Sequence, residues 1–433
     1  MCFYCGYALF LLIFLKLCAI IYSFNIKKDR EVVDMTNIAI LGFGVVGSGV
    51  ANFISSNSSE ILAQGGEGVS IKYILDLRDF PESPFADKIV HDYDIIVNDP
   101  EIDCIVEVMG GAHPAYEYTT MALKRGISVI TSNKEVVALH GDEFMALAEV
   151  SGASYRFEAA VGGGIPVLSP IISLIRHNKI REVRGILNGT TNYILTQMFT
   201  FGESFDSALR DAQAKGYAER NPDADVLGID AARKITILTA LATDKLVDVD
   251  RVHTEGITGI RRTDVTLAAS LGKKIKLVGR CIVEGDGAYV MVAPFMMDND
   301  APLGLVDGVY NAVEVIADPL ENVMFYGQGA GSGTTASAVV GDLMQIMRSG
   351  RNCKMPIMER SESTMLPFAT FKSRSYIALD KSQEDEARRI FGVEEFMREG
   401  DEIALVTEYL PESETETLIS KLSAAPRSRI RLL

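Results

Sequence analysis

The stretch Ile38-Ala39-Ile40-Leu41-Gly42-Phe43-Gly44-Val45-Val46-Gly47 constrains the fold more than any other part of the chain. A short run of Ile, Ala and Leu suits a strand buried on both faces of a parallel sheet. Three glycines spaced Gly-x-Gly-x-x-Gly follow it, and a helix is predicted over 45–55. The glycine spacing alone is weak. Its position between strand and helix is what dinucleotide binding requires. Gly42 permits the tight turn, Gly44 lets the backbone approach a pyrophosphate, and Gly47 lets helix and strand pack closely. The helix start, around Val46, then offers free amides and a positive dipole end to the phosphates.

Apolar runs at 71–77, 104–110 and 127–132 alternate with helical stretches such as 115–125, which Gly126 should end. This rhythm predicts βαβ units and a parallel sheet. The expected fold class is α/β, with a Rossmann nucleotide-binding domain over 35–150 completed by about 320–346, where a Gly-rich loop runs into a helix. Past residue 150 the rhythm changes to helices at 167–177, 204–215 and 227–242. A hairpin at 273–297 turns through Glu284-Gly285-Asp286-Gly287. An inserted α+β catalytic and dimerisation domain over 151–319 is expected. Residues 351–433 alternate strands and helices again, in a pattern that resembles a degenerate ACT module.

A formal net charge of -16 argues against nucleic acid or an anionic membrane as the main partner. It leaves a phosphorylated cofactor open, because pocket charge is local. Cys2 and Cys5 form a CxxC with no second pair to complete a zinc site. Free thiols in a reducing compartment, and so the cytoplasm, are expected. The first 24 residues are apolar enough for a membrane segment or signal core. Lys16 interrupts them, however, and neither a basic leader nor a small-residue cleavage site is present. Met35 stands directly before the first strand, so translation is expected from there, with 1–34 an artefact of start-site choice and a membrane anchor the alternative. The five histidines are scattered, and no Gly-x-Ser-x-Gly elbow occurs, so metallohydrolase and serine-hydrolase readings lack support.

The chemistry concentrates between Lys215 and Lys234. Gly216 should end one helix and Asp225 cap the next. Asp230 and Lys234 then lie four apart on one helical face. Such pairs are ordinarily exposed salt bridges, but Leu227, Ala231, Ile235 and Leu238 surround this one. Partly buried, a lysine beside a carboxylate is an oriented proton donor or acceptor. Cofactor choice turns on the end of the second strand. Asp76 there would favour NAD and Arg78 would accommodate NADP, and the two readings stay open.

The spacing of Ala212, Gly216, Tyr217, Glu219, Pro222, Asp225, Gly228, Asp230 and Lys234 resembles the signature of the homoserine dehydrogenase family. The resemblance covers residues 35 to about 346. It implies reversible hydride transfer between NADP or NAD and L-homoserine, with L-aspartate 4-semialdehyde as the oxidised partner. It implies that Lys234 is catalytic with Asp230 as its partner, and that Glu219 and Asp225 hold the amino acid. Lys134, after Thr131-Ser132-Asn133, becomes a substrate- and cofactor-side lysine, and Thr190 in the loop 188–192 lines the site. Arg78, Gly110 and Gly331 join Gly42, Gly44, Val46 and Gly47 as cofactor contacts. A monovalent cation, Na+ or K+, would sit on the main-chain carbonyls of Glu158, Val161, Gly163 and Ile165. A homodimer or homotetramer is expected.

Asp230 raises the pKa of Lys234, so a working base needs burial or a neighbouring cation such as Lys134 to oppose it. Two other readings compete with the family's own. An aspartate-semialdehyde dehydrogenase needs a nucleophilic cysteine, and Cys281 in a hairpin strand looks like core. A non-catalytic nucleotide sensor should have lost Glu219, Asp230 or Lys234, and all three are present. In the tail, Asp380-Lys381-Ser382-Gln383 lacks the glycine turn an ACT effector site needs, so threonine is expected to inhibit weakly or not at all.

Overall fold

The computed structural model describes residues 35–433 except 176, 350–354 and 357. Residues 1–34, with the apolar stretch 1–24 and the start-site reading attached to them, lie outside the described residues.

The N-terminal part runs β1 (Met35–Leu41), α1 (Val45–Ser56), β2 (Gly68–Leu75), β3 (Ile89–Val90), β4 (Cys104–Glu107), α2 (Ala115–Lys124), β5 (Ser128–Thr131), α3 (Lys134–Ser151) and β6 (Tyr155–Arg156). Its six strands lie in the order 3-2-1-4-5-6, all parallel. Successive residues of β1 feed two different cores, as a period-two strand buried on both faces must. Ile38 and Ile40 pack with Val50 and Ile54 of α1. Ala39 and Leu41 face the opposite core, with Val136 and Phe144 of α3. Strand order reverses beside β1, which opens a crevice beyond the carboxyl ends of β1, β2, β4 and β5.

The second part comprises α4 (Leu168–Ile175), β7 (Lys179–Ile186), α5 (Gly189–Phe201), α6 (Phe205–Ala214), α7 (Ile229–Thr243), β8 (His253–Thr254), α8 (Arg262–Ser270), β9 (Lys273–Glu284), β10 (Gly287–Asp298), β11 (Tyr310–Asp318) and β12 (Glu321–Gln328). The predicted hairpin is the β9–β10 pair, turning through Gly285 at φ +61°. Its sheet runs β12-β11-β7-β9-β10, with β8 also on β10. α7 lies on β9 and β10 and buries Ile235 and Leu238 completely. The stretch 325–328, expected as loop, is instead the end of β12, paired with 310–313 of β11. Then α9 (Ser332–Ser349) returns to the first sheet, where Val339 and Leu343 join the core of Ile38 and Ile40. Serine at its start donates to the first turn of α1, Ser332 Oγ to Val45 O at 2.8 Å.

The tail adds β13 (Ser375–Asp380), α10 (Glu384–Phe391), β14 (Met397–Glu399), β15 (Glu402–Val406), α11 (Glu412–Ile419) and β16 (Ser428–Leu432). It has a small core of its own around Ile377, Leu379, Ile403 and Leu405. It is nonetheless stitched to the second sheet, because β16 pairs antiparallel with β13 and parallel with β10. One ten-stranded sheet results.

Candidate active site

The nucleotide side is built from backbone. Gly42 takes φ +95° and its N–H donates to Leu75 O, so the chain turns sharply off β1. A Cβ on Gly47 would lie 1.9 Å from the Gly42 carbonyl oxygen, so only glycine lets α1 start this close to the turn. Nothing lies within 4 Å of a Cβ on Gly44, and α1 has no side-chain N-cap. The first amides of the helix therefore face open space, which fits a pyrophosphate. A cavity of about 550 Å³ lies there, lined by Gly42, Gly44, Asp76, Arg78, Met109 and Tyr118.

Asp76 and Arg78, which pointed to opposite cofactors, are bonded to each other. Arg78 Nε and Nη2 each donate to the Asp76 carboxylate at 3.0 Å, and Phe43 N–H donates to it at 2.8 Å. Those bonds from Arg78, ahead of the opposing effect of burial, bring the Asp76 carboxyl down to about 2. The Arg78 side chain remains 63% exposed. It can therefore swing to a 2′-phosphate, while Asp76 is already fixed by the backbone of the glycine turn.

A second cavity of about 490 Å³ shares Val108 and Met109 with the first. Val46, Gly110, Lys134, Gly163, Glu219 and Lys234 line it. Gly110 and Gly111 both have positive φ, the left-handed turn that glycine allows. Behind them Glu107, fully buried, accepts from Met109 N–H and from the Thr131 hydroxyl, tying the ends of β4 and β5 together. Asn133 caps α3 and donates to Gly111 O at 2.7 Å. This holds Lys134 at the first position of α3, facing the second domain.

Lys134 Nζ reaches Asp230 Oδ1 at 3.0 Å, and Lys234 Nζ reaches Asp230 Oδ2 at 2.7 Å. Asp230 and Lys234 are both buried, at 6% and 8% exposure. Lys234 also donates to Leu187 O at 2.7 Å, a carbonyl shared with Asn311 Nδ2. Burial pushes the Lys234 pKa below the ordinary lysine value, with Asp230 opposing and the Lys134 charge reinforcing. Burial works to raise Asp230, but the charges of Lys234 and Lys134 prevail and hold its carboxyl below the usual range. Both burial and the neighbouring cation Lys134 thus act to lower the Lys234 pKa, burial the more strongly.

Asn188, the cap of α5, joins the two acidic residues. Its side-chain amide donates to Asp225 Oδ1 at 2.6 Å and to Asp230 Oδ2 at 2.9 Å. Burial raises the Asp225 pKa, and the nearby Asp230 charge adds to it. Asp225 does not cap the helix of Asp230 and Lys234 as expected. It sits in a separate short helix, Asp223–Val226, and Gly228 at φ +84° starts α7 without a side-chain cap. Gly228, in the left-handed region, separates that short helix from α7, which starts at Ile229 rather than at 227. Thr190 backs the same loop, donating to Tyr217 O at 2.7 Å. Glu219 is exposed at the cavity mouth.

Gly329 and Ala330 line the cavity, with Gly331 just beyond them at φ +133°. The Glu158 carboxylate caps α4, accepting from the N–H groups of Val167, Leu168 and Ser169. The Glu158 main-chain carbonyl accepts from Val161 N–H at 3.5 Å. Cys281 is fully buried and burial pushes its thiol up to about 12, so the cysteine chemistry of an aspartate-semialdehyde dehydrogenase has no nucleophile there. Sequence reasoning missed Glu107, Asn311 and the bridging role of Asn188. Only Asn188 carried a local signal, an Asn-Gly-Thr helix start.

Comparison with known proteins agrees with this geometry. The model for the homoserine dehydrogenase NAD-binding domain matches residues 42–158, and that for homoserine dehydrogenase itself matches 166–344. The homoserine dehydrogenase of Pseudomonas aeruginosa is 40% identical over 313 residues, 72% of each chain. The crystal structure of a homoserine dehydrogenase from Thiobacillus denitrificans superposes with a TM-score of 0.86 at 32% identity, covering 92% of this chain and 98% of that one. A hyperthermophilic archaeal homoserine dehydrogenase mutant in complex with NADPH superposes at 0.63 and 28% identity, over 74% of this chain and all of the other. With a dinucleotide crevice on one wall and the buried pair Asp230–Lys234 beside a half-buried Lys134 on the other, the chain belongs to the homoserine dehydrogenase family.

Proposed function

We propose that this enzyme interconverts L-homoserine and L-aspartate 4-semialdehyde with NADP or NAD, and that Lys234 moves the proton at the C4 oxygen. The observation that carries this reading is the buried Lys234 between Leu187 O and Asp230, beside a second cation. The nicotinamide ring, when bound, supplies the hydride acceptor or donor. Lys234 in its neutral form accepts the homoserine hydroxyl proton, and in its charged form protonates the alkoxide during reduction. Asp230 orients the amine, and Lys134 keeps the pair from holding its proton too tightly. Asp225 and Glu219 face the substrate ammonium, with Thr190 and Asn188 fixing the loop that presents Asp225.

Arg78 is proposed to meet the ribose of the cofactor, and Gly331 to shape the loop beside it. A Na+ or K+ ion on the carbonyls of Glu158, Val161, Gly163 and Ile165 is proposed as structural. Support comes from the turn there: Gly162 and Gly163 have positive φ, and the Ile165 carbonyl comes within 3.2 Å of a Gly162 Cβ. A homodimer or homotetramer is proposed because edge strand β12 exposes Met324 and Tyr326, which a second copy would cover. Among the described residues no helix is long and apolar enough to cross a membrane. A cytoplasmic place accords with the free thiols of Cys104 and Cys281.

The test is a spectrophotometric assay with homoserine and each cofactor in turn. Reduced nicotinamide should form only when homoserine is present. An enzyme inert to homoserine with both cofactors would end this reading.

A further inference from the structure

The backbone that presents Asp225 and starts α7 is held from below by residues 254–257. A Cβ on Gly228 would meet Thr254 Cγ2 at 3.1 Å and Glu255 O at 3.3 Å. Gly256 is tighter still, since its Cβ would lie 2.2 Å from Val226 O and 2.6 Å from the Leu227 Cα. Ile257 N–H donates to Val226 O at 2.8 Å. Segment 254–257 is therefore a floor against which 226–228 cannot slide.

That floor is pinned from the tail. Glu255 Oε1 bonds His253 Nε2 at 2.6 Å, and Glu255 Oε2 accepts from Arg431 Nη1 at 2.8 Å. Arg431 lies on β16 with its side chain 3% exposed. Its Nε and Nη2 go to the Glu412 carboxylate at 3.0 and 2.8 Å. Phe368 stacks on His253 with ring centroids 3.5 Å apart, and the Arg431 guanidinium stands 5.1 Å from the same ring. One rigid guanidinium thus joins a carboxylate of the tail to a carboxylate of the substrate-side floor, a geometry that lysine cannot reproduce in full.

We propose that Arg431 is a positioning residue for the amino-acid substrate. Through Glu255 the last strand of the chain fixes segment 254–257, and so sets where Asp225 and the start of α7 stand. The tail then acts on homoserine binding and leaves the nucleotide side alone, because the glycine turn and its helix belong to the other sheet. The inference rests on the proposed reading of Asp225 as a substrate carboxylate.

Full-length variants decide it by steady-state kinetics, varying homoserine and cofactor separately. Arg431→Met and Glu255→Gln should each raise the homoserine KM about tenfold. The cofactor KM should stay at the wild-type value, kcat should fall less than the homoserine KM rises, and Arg431→Lys should recover part of the loss. Asp225→Asn tests the underlying reading and should also raise the homoserine KM. If Asp225→Asn does so while Arg431→Met and Glu255→Gln leave it unchanged, the clamp is overturned and the Asp225 reading stands. If Asp225→Asn has no effect, the substrate reading fails and takes the clamp's purpose with it. Equal rises in both KM values would mean a general structural role and would also overturn the proposal. Should Arg431→Met not fold, Glu255→Gln decides by the same criteria.

Discussion

The two walls of the active site are made by different means. The nucleotide wall is backbone: a turn at Gly42, an open Gly44, a Gly47 pressed on the Gly42 carbonyl, and amides at a helix start. The wall proposed to face the substrate is side chains that converge from distant stretches of sequence. Asn188, Asp225, Asp230 and Lys234 meet there, and Lys134 arrives from the other sheet. The first leaves no room for a side chain at Gly47, and the second is set by the charges of Asp230, Lys234 and Lys134. Steric fit is decided within six residues, whereas a tuned lysine needs a low-dielectric pocket that only folding creates.

Substitutions should separate the two walls. Lys234→Ala is expected to lower kcat about a thousandfold, the scale of lost proton transfer. Its cofactor Kd, measured by titration, should stay near wild type. Equal losses in both would erase the distinction between the walls, and full turnover would remove Lys234 from the chemistry.

On the other wall, Gly47→Ala puts a methyl 1.9 Å from a carbonyl oxygen and should cost about 3 kcal/mol of stability. Gly44→Ala meets nothing and should leave Tm in place while weakening the cofactor, because the phosphates need that open face. Thermal melts with cofactor titrations on the pair would show whether steric fit and ligand approach are separable. Identical behaviour of the two variants would break the account of this wall.

A smaller effect is expected from Lys134→Met. Lys234 has a pKa below the ordinary lysine value, and the Lys134 charge contributes to that lowering. On the proposed function the neutral amine is the base in homoserine oxidation, so kcat should rise with pH as Lys234 loses its proton. Removing the Lys134 cation raises the Lys234 pKa and should move that rise to higher pH. A profile that stays in place would show that burial alone tunes the lysine.

The smallest effect concerns the tail. The turn Lys381–Gln383 that leads into α10 is satisfied from within, since Asp380 accepts from Ser382 N–H and hydroxyl and pairs with Arg427. We expect a threonine titration, run near half-saturating homoserine, to leave initial rates unchanged. Sub-millimolar inhibition would place an effector site elsewhere in the tail.

Much of this was legible beforehand because it is local. The alternation of strands and helices, the glycine turn and the Gly126 and Gly216 stops follow from short-range sterics. So does the placing of Asp230 and Lys234 on one helical face. The break at Gly228 was missed because an apolar helical period runs on through Leu227 and Ala231, and the pattern does not show a left-handed residue between them. Glu107 was missed because a carboxylate inside an apolar run has no motif. Its role appears only when β4 and β5 lie side by side, Glu107 opposite Thr131.

By itself the sequence determined that a dinucleotide turn opens the described chain, and that a lysine and an aspartate share a half-buried helical face. Both depend on neighbours within a few residues, where backbone geometry leaves few options. Only the tertiary structure decided which charges surround Lys234. It also decided that Asp76 and Arg78 pair with each other, and that β16 docks on β10 so that Arg431 reaches Glu255. Those outcomes depend on which strands pair and which groups lose water together. No local pattern encodes them, because the same residues left in water would form neither bond nor pKa shift worth having.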